Sequence, residues 1–182
     1  MSLINAVLEI HGLLEGASAA HAFGGALALA QYAEPRATVD IDVNVFAAEP
    51  DQAGILDHLA TLGYSPELER AHWVPIAGVR LRRDADPYPL DLFLPLGPEY
   101  EEIAARTRTL PFGPDQIGLP FLSPEDLTMF KLSFGRDKDW VDIRQIVRSG
   151  LALDVDYVER QLISLRGSTM YPRMARLRAL VD

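Results

Sequence analysis

The sequence predicts an α/β (α+β) fold with a helical C-terminal region. Val39 to Phe46 alternates strictly, with Val39, Ile41, Val43 and Val45 on one face and Asp40, Asp42 and Asn44 on the other. Leu90, Leu92, Leu94 and Leu96 repeat that period, which sends Asp91 and Phe93 to the opposite face. From Ser123 to Asp182 the spacing is helical throughout, interrupted at Gly135, Gly150 and Gly167. The chain of 182 residues suits one domain, or a small core with a helical extension. The expected division is an α/β core over 1–110 and a helical region over 111–182 packed on it.

Taken in order, Ser2 to Glu15 reads as a helix capped by Ser2, with Leu3, Val7, Ile10 and Leu14 on one stripe. Ala17 to Phe23 is small and apolar, as in a short buried strand. Gly24-Gly25 follows, and Ala26 to Tyr32 contains strong helix formers, ending at Glu34-Pro35. After the Val39 strand, Pro50-Asp51 opens a helix with Ile55, Leu56, Leu59 and Leu62, closed by Gly63. Trp73 to Arg83 reads as one or two strands around Gly78. Gly97 to Pro120 holds four prolines and three glycines, so it is expected to connect, with one short helix near Glu99 to Arg106. Ser123-Pro124-Glu125-Asp126 combines an N-cap, a proline at the first helical position and first-turn acids.

Composition narrows the function. An apolar content of 48% argues against disorder, and the absence of cysteine excludes disulfides, Cys-ligated metals and a Cys nucleophile. The longest mostly apolar stretch, Ala22 to Ala30, falls short of the ~20 residues that cross a bilayer. Met1 to Gly12 lacks a cationic start and contains Glu9, so the expected address is the cytoplasm. A net charge of −9 disfavours non-specific nucleic-acid binding. The C-terminal arginines 160, 166, 173, 176 and 178 read as a solvated face or as a surface for a nucleic-acid or acidic acceptor. His11, His21, His58 and His72 show no His-Glu-x-x-His spacing, and His21 reads as a core residue. Nucleophile-elbow, dinucleotide and P-loop signatures are missing as well.

Chemistry concentrates at three places. Asp40 and Asp42, at i and i+2 of a strand, project to the same side, where two carboxylates repel unless a cation lies between them. Such hard oxygen donors suit Mg²⁺ or Mn²⁺; a solvated strand face is the alternative. Asp91 adds a third carboxylate if its strand neighbours the first. Gly24-Gly25 precedes a helix whose N–H groups can cradle phosphate, or forms a plain tight turn.

Phe23-Gly24-Gly25-Ala26-Leu27-Ala28 followed by Arg36-Ala37-Thr38-Val39-Asp40-Ile41-Asp42-Val43 resembles the minimal nucleotidyltransferase motif of the DNA polymerase β superfamily. Lys131, followed by Arg136-Asp137-Lys138-Asp139-Trp140-Val141-Asp142, is similar to the helical segment of its bacterial AbiEii-like branch, which includes toxins of toxin–antitoxin systems. The resemblance implies a nucleotidyltransferase-like mixed sheet flanked by helices. It also implies metal-dependent transfer of a nucleoside monophosphate from an NTP to an acceptor: RNA, a protein or a small hydroxylated molecule. Asp40, Asp42 and Asp91 would bind Mg²⁺ or Mn²⁺, with Asp91 also helping to activate the acceptor hydroxyl. Gly24 and Gly25 would hold the nucleotide phosphates. Arg36 either contacts phosphate or is a surface residue, and Thr38 contacts the nucleotide or braces the turn. Lys131 reaches phosphate or an acidic cluster, or snorkels over the core. Arg136 and Lys138 face the triphosphate, or Lys138 forms an i, i+4 surface pair with Asp142. The alternative function is a catalytically inactive regulatory protein or antitoxin-like partner of this fold.

Overall fold

In a computed structural model, which describes residues 1–47, 51–67, 78–95 and 97–181, the chain opens on helix α1 (Leu3–Gly16). Ser2 caps it, its Oγ accepting from the Asn5 N–H at 3.2 Å, and Val7, Ile10 and Leu14 are buried. Strand β1 (His21–Phe23) and helix α2 (Gly25–Tyr32) follow, then strand β2 (Ile41–Val45) and helix α3 (Asp51–Thr61). Strands β3 (Ser65–Pro66), β4 (Gly78–Arg82) and β5 (Leu90–Phe93) lead to helix α4 (Glu99–Ala105). Strands β6 (Arg108–Phe112) and β7 (Ile117–Phe121) complete the sheet. Helices α5 (Pro124–Phe134), α6 (Asp137–Arg148), α7 (Val155–Arg166) and α8 (Tyr171–Val181) end the chain, with a short 3₁₀ turn at Ser168–Met170.

The described strands form one mixed sheet in the order β3-β4-β5-β2-β1-β7-β6. β2 runs parallel to β5 and antiparallel to β1, and the β2–β5 register sets Asp42 directly beside Asp91. β4 lies antiparallel on the other side of β5, with Arg80 opposite Asp91. Ile41, Val43 and Val45 from β2 and Leu90 and Leu92 from β5 are fully buried on the core face. Among the described residues, no helix is long and apolar enough to cross a membrane.

Several expectations are corrected. Val39 lies outside β2 and is 75% exposed, so the strand starts two residues late and Asp40 stands just before it. Ala17 to Ala20 is a turn out of α1, reversed at Ser18 with φ 54°, and only His21–Phe23 is extended. The expected connector after Gly97 contains, besides its helix, the β6–β7 hairpin. Its prolines misled the pattern for a physical reason. Pro111 sits on the sheet's edge strand, and Pro120 lies in β7 where β1 pairs only through Phe23 and Phe121. Neither site needs an N–H for a second neighbour. Leu119 and Phe121 still alternate into the core. Trp73 to Ala77, Pro50, His72 and Leu96 lie outside the described residues.

Helix α5 is begun by Ser123, whose Oγ accepts from the Asp126 N–H at 3.1 Å, and closed by Gly135 at φ 67°. Every residue from Pro124 to Ser133 is buried, including Glu125, Asp126 and Lys131. The helix therefore lies within the molecule, packed against α2, α6 and α7, rather than presenting one apolar stripe.

Candidate active site

The bend from β1 into α2 sets one wall of a pocket. The Gly24 N–H donates to the Asp42 carbonyl at 2.9 Å, pinning the bend to β2. Gly25 begins α2 at φ 53°, and a Cβ there would overlap the Asp42 carboxylate. Only glycine allows the acid to stand this close to a helix N-terminus. At Gly24, a Cβ would lie 3.1 Å from Asn44 Nδ2, so this position is also tight.

Asp40, Asp42 and Asp91 all line the same pocket, which has a volume of about 650 Å³. Enclosure, together with the neighbouring charges of Asp40 and Asp91, pushes the Asp42 carboxyl up to about 7. Lys131 and Lys138 offset part of this effect. Thr38 does not line the pocket; its Oγ1 donates to Asp40 Oδ1 at 2.8 Å and so braces that carboxylate.

The opposite wall comes from α5 and the start of α6. Leu127, Phe130 and Phe134 supply an apolar surface, and Lys131, Arg136 and Lys138 supply cations. Lys131 is buried, and its Nζ donates to Asp142 Oδ2 at 2.6 Å. Arg36 forks onto the same carboxylate, Nε to Oδ1 and a terminal nitrogen to Oδ2, both at 3.0 Å. Burial alone would raise the Asp142 carboxyl, but these hydrogen bonds outweigh it and hold it below the usual carboxylate range. The surface pair expected between Lys138 and Asp142 is replaced: Asp142 is 1% exposed and turned toward Arg36 and Lys131. Arg136 folds onto Asp139, its Nε 2.8 Å from Oδ2, and its backbone N–H donates to the same oxygen. Lys138 is exposed at the rim.

Of the residues singled out by sequence, Gly25, Arg36, Asp40, Asp42, Asp91, Lys131, Arg136 and Lys138 line one pocket, whereas Gly24 and Thr38 stand behind it. Two residues were missed. Arg80 forks onto Asp91, with Nε 2.7 Å from Oδ1, and approaches Asp40 Oδ2 at 3.7 Å. Its signal was the alternation Val79-Arg80-Leu81-Arg82, which puts both arginines on the polar face. Asn44 is 3% exposed and continues the row begun by Asp40 and Asp42.

Asp40, Asp42 and Asp91 are the hard oxygen donors a divalent cation takes, but their donor atoms do not all lie within 4.8 Å of one another, so a cation would have to draw them together. Arg80 supplies a positive charge between two of them, the role such a cation would share.

No family model matches the sequence, and no curated protein matches it. Solved structures do. A lincomycin-bound lincosamide antibiotic adenylyltransferase, LnuA, superposes with a TM-score of 0.57 at 16% identity, over 78% of this chain and 94% of that one. The antibiotic-resistance factor ANT(2'')-Ia in solution gives a TM-score of 0.58 at 13% identity, over 97% and 96%. An antigenic nucleotidyltransferase-like protein from Paracoccidioides brasiliensis gives 0.53 at 16%, over 96% and 91%. At these identities the likeness is one of fold, and the fold is nucleotidyltransferase-like.

Proposed function

We propose that this protein is a nucleotidyltransferase of the DNA polymerase β superfamily that transfers a nucleoside monophosphate from an NTP to a hydroxyl of a small molecule. One observation carries the proposal: Asp42 and Asp91 stand side by side on adjacent strands, with Asp40 beside them, against the glycine bend that starts α2. The small-molecule acceptor is favoured by two points. The chain's charge of −9 opposes RNA, and the fold neighbours include a lincomycin-bound adenylyltransferase and ANT(2'')-Ia in complex with adenylyl-2''-tobramycin. The segment from Lys131 to Asp142 supports placement in the AbiEii-like branch.

Asp40, Asp42 and Asp91 would hold Mg²⁺ or Mn²⁺, which when bound neutralises charge developing on the transferring phosphate. The chain's own groups do the rest. The N–H groups at the start of α2 take phosphate oxygens, and Gly25 keeps that approach open. Lys138 and Arg136 balance the triphosphate charge from the opposite wall, while Phe130 and Phe134 offer an apolar surface to a base or acceptor. Asp142 is a positioning residue that fixes Arg36 and Lys131. The acceptor oxygen forms a bond to the α-phosphorus as the bond from that phosphorus to the bridging oxygen breaks. Asp91, oriented by Arg80, takes the hydroxyl proton, and pyrophosphate leaves with the bonding pair.

A second reading rests on Arg80. Its guanidinium bonds Asp91 and approaches Asp40, which is the arrangement of a site that has internalised its counter-charge. This favours a catalytically inactive protein of the same fold, acting as a regulator or an antitoxin-like partner. The two readings separate in one experiment. The chain is incubated with Mg²⁺ or Mn²⁺, α-labelled NTPs and panels of hydroxylated small molecules, RNA and protein, and pyrophosphate release is followed. Transfer that is lost in Asp42→Asn supports the enzyme. NTP binding by calorimetry without transfer to any acceptor supports the regulator.

A further inference from the structure

A second cluster of metal-ligating side chains lies apart from the pocket residues, between α1 and β1. His11 and Glu15 are four residues apart on α1 and so share a face. The turn through Ser18, where the Ser18 N–H donates to the Glu15 carbonyl at 2.9 Å, brings His21 of β1 back over them. One donor atom from each of the three lies within 4.8 Å of the others; among the described residues no other set of three His, Asp or Glu side chains is drawn so close. His11 Nδ1 and His21 Nε2 are 3.0 Å apart, and the rings are tilted by 53° rather than stacked.

The surroundings of His21 are those of a ligand. It is 4% exposed, and its Nδ1 lies 2.8 Å from the Ala19 carbonyl. An Nδ1–H donated there leaves Nε2 with a free lone pair, the outer-shell contact that metal-bound histidines make. Two zinc–nitrogen bonds of about 2.05 Å at a tetrahedral angle separate the nitrogens by about 3.3 Å. The observed pair needs to widen by only a few tenths of an ångström. Two imidazoles and one carboxylate suit Zn²⁺ or Co²⁺ better than Mg²⁺, which prefers oxygen ligands and retains water.

We propose that His11, Glu15 and His21 form a zinc-type divalent metal site that rivets the end of α1 to β1. It is independent of the nucleotidyl-transfer reading, since it shares no residue with the pocket. A hydrogen bond from His11 Nδ1–H to His21 Nε2 is the alternative that the test must separate.

The experiment strips the full chain with a chelator in an Asp40→Asn, Asp42→Asn background, so that the carboxylate site does not compete. The expected result is uptake of one equivalent of Co²⁺ with the intense visible absorption of a four-coordinate N/O site, displaced by Zn²⁺. Zn²⁺ should also raise Tm in a concentration-dependent way. His11→Ala, half-buried, and Glu15→Gln, exposed, should each weaken uptake at least about tenfold, the minimum expected of a lost ligand when outer-shell losses already cost that much. Glu15→Gln keeps the test decisive if His11→Ala folds poorly. Unchanged uptake in both variants, or no uptake with a His21 Nε2 resonance indifferent to Zn²⁺, overturns the proposal and leaves a simple histidine pair.

Discussion

Asp42 stands among like charges in a space that Gly25, having no Cβ, leaves open to it. Its carboxyl titrates near 7, above the ordinary 3.8, so the native state retains a proton that the unfolded chain releases between those values. Stability contributed by this group therefore falls as pH rises from about 4 to about 7. Asp42→Asn should remove that loss, and urea midpoints at pH 5 and pH 8 should diverge less in the variant than in the parent. The same substitution should abolish transfer, a site-for-stability exchange typical of functional residues. Asp142 behaves in the opposite way. Asp142→Asn leaves Lys131 and Arg36 buried or half-buried without their counter-ion, at a cost of about 3 kcal/mol. Removing Lys131 as well, in Lys131→Met with Asp142→Asn, should recover part of that loss, a coupling that a double-mutant cycle by urea unfolding measures. Sequence spacing paired Asp142 with Lys138. That spacing is real, but the winning partner Arg36 is 106 residues away in sequence, and no local period reports such a contact.

At the scale of elements, the start of α2 and the start of α5 carry the sharpest expectations. Gly25→Ala imposes both a left-handed φ and an overlap with the Asp42 carboxylate. It should destabilise the protein by about 1–3 kcal/mol and abolish NTP binding, measured by thermal unfolding and calorimetry. In α5, Asp126 accepts hydrogen bonds from the Tyr157 hydroxyl at 2.6 Å and the Ser123 hydroxyl at 2.5 Å. Burial pushes its carboxyl up to about 6 in spite of them. Here too stability falls as pH rises, but over the narrower window from about 4 to 6. Asp126→Asn should make the fall between about 4 and 6 shallower, leaving there only the share of Asp42, and should not change the interval from 6 to 7. The cap itself was legible, because Ser123-Pro124-Glu125-Asp126 is a local signal. The β6–β7 hairpin was not, because the tolerance of Pro111 and Pro120 depends on which strands lie beside them.

For the molecule as a whole, the pocket joins two parts of the chain that the sequence places far apart. The carboxylates come from β2, β5 and the residue before β2, with Arg80 of β4 beside them, and the facing wall of Phe130, Lys131, Phe134, Arg136 and Lys138 comes from α5 and the start of α6. The pair Asp40 and Asp42 and the glycine bend were legible because both are local patterns. The meeting of Asp91 with Asp42, and the presence of Arg80, depend on strand order. A ligand that spans both walls should lock them together. NTP with Mg²⁺ should therefore raise Tm more than Mg²⁺ or NTP alone, with about 2.7 kcal/mol of stabilisation at a hundredfold excess over Kd. Asp42→Asn removes the sheet's share of this gain, and Lys138→Ala, at the exposed rim, removes the helical share without disturbing the core. Each variant should reduce the shift produced by NTP with Mg²⁺, and raised salt should reduce it further in the parent than in Lys138→Ala, because the rim charge is open to screening. If Lys138→Ala leaves the shift unchanged while Asp42→Asn abolishes it, the helical wall takes no part in nucleotide binding and the site is confined to the sheet.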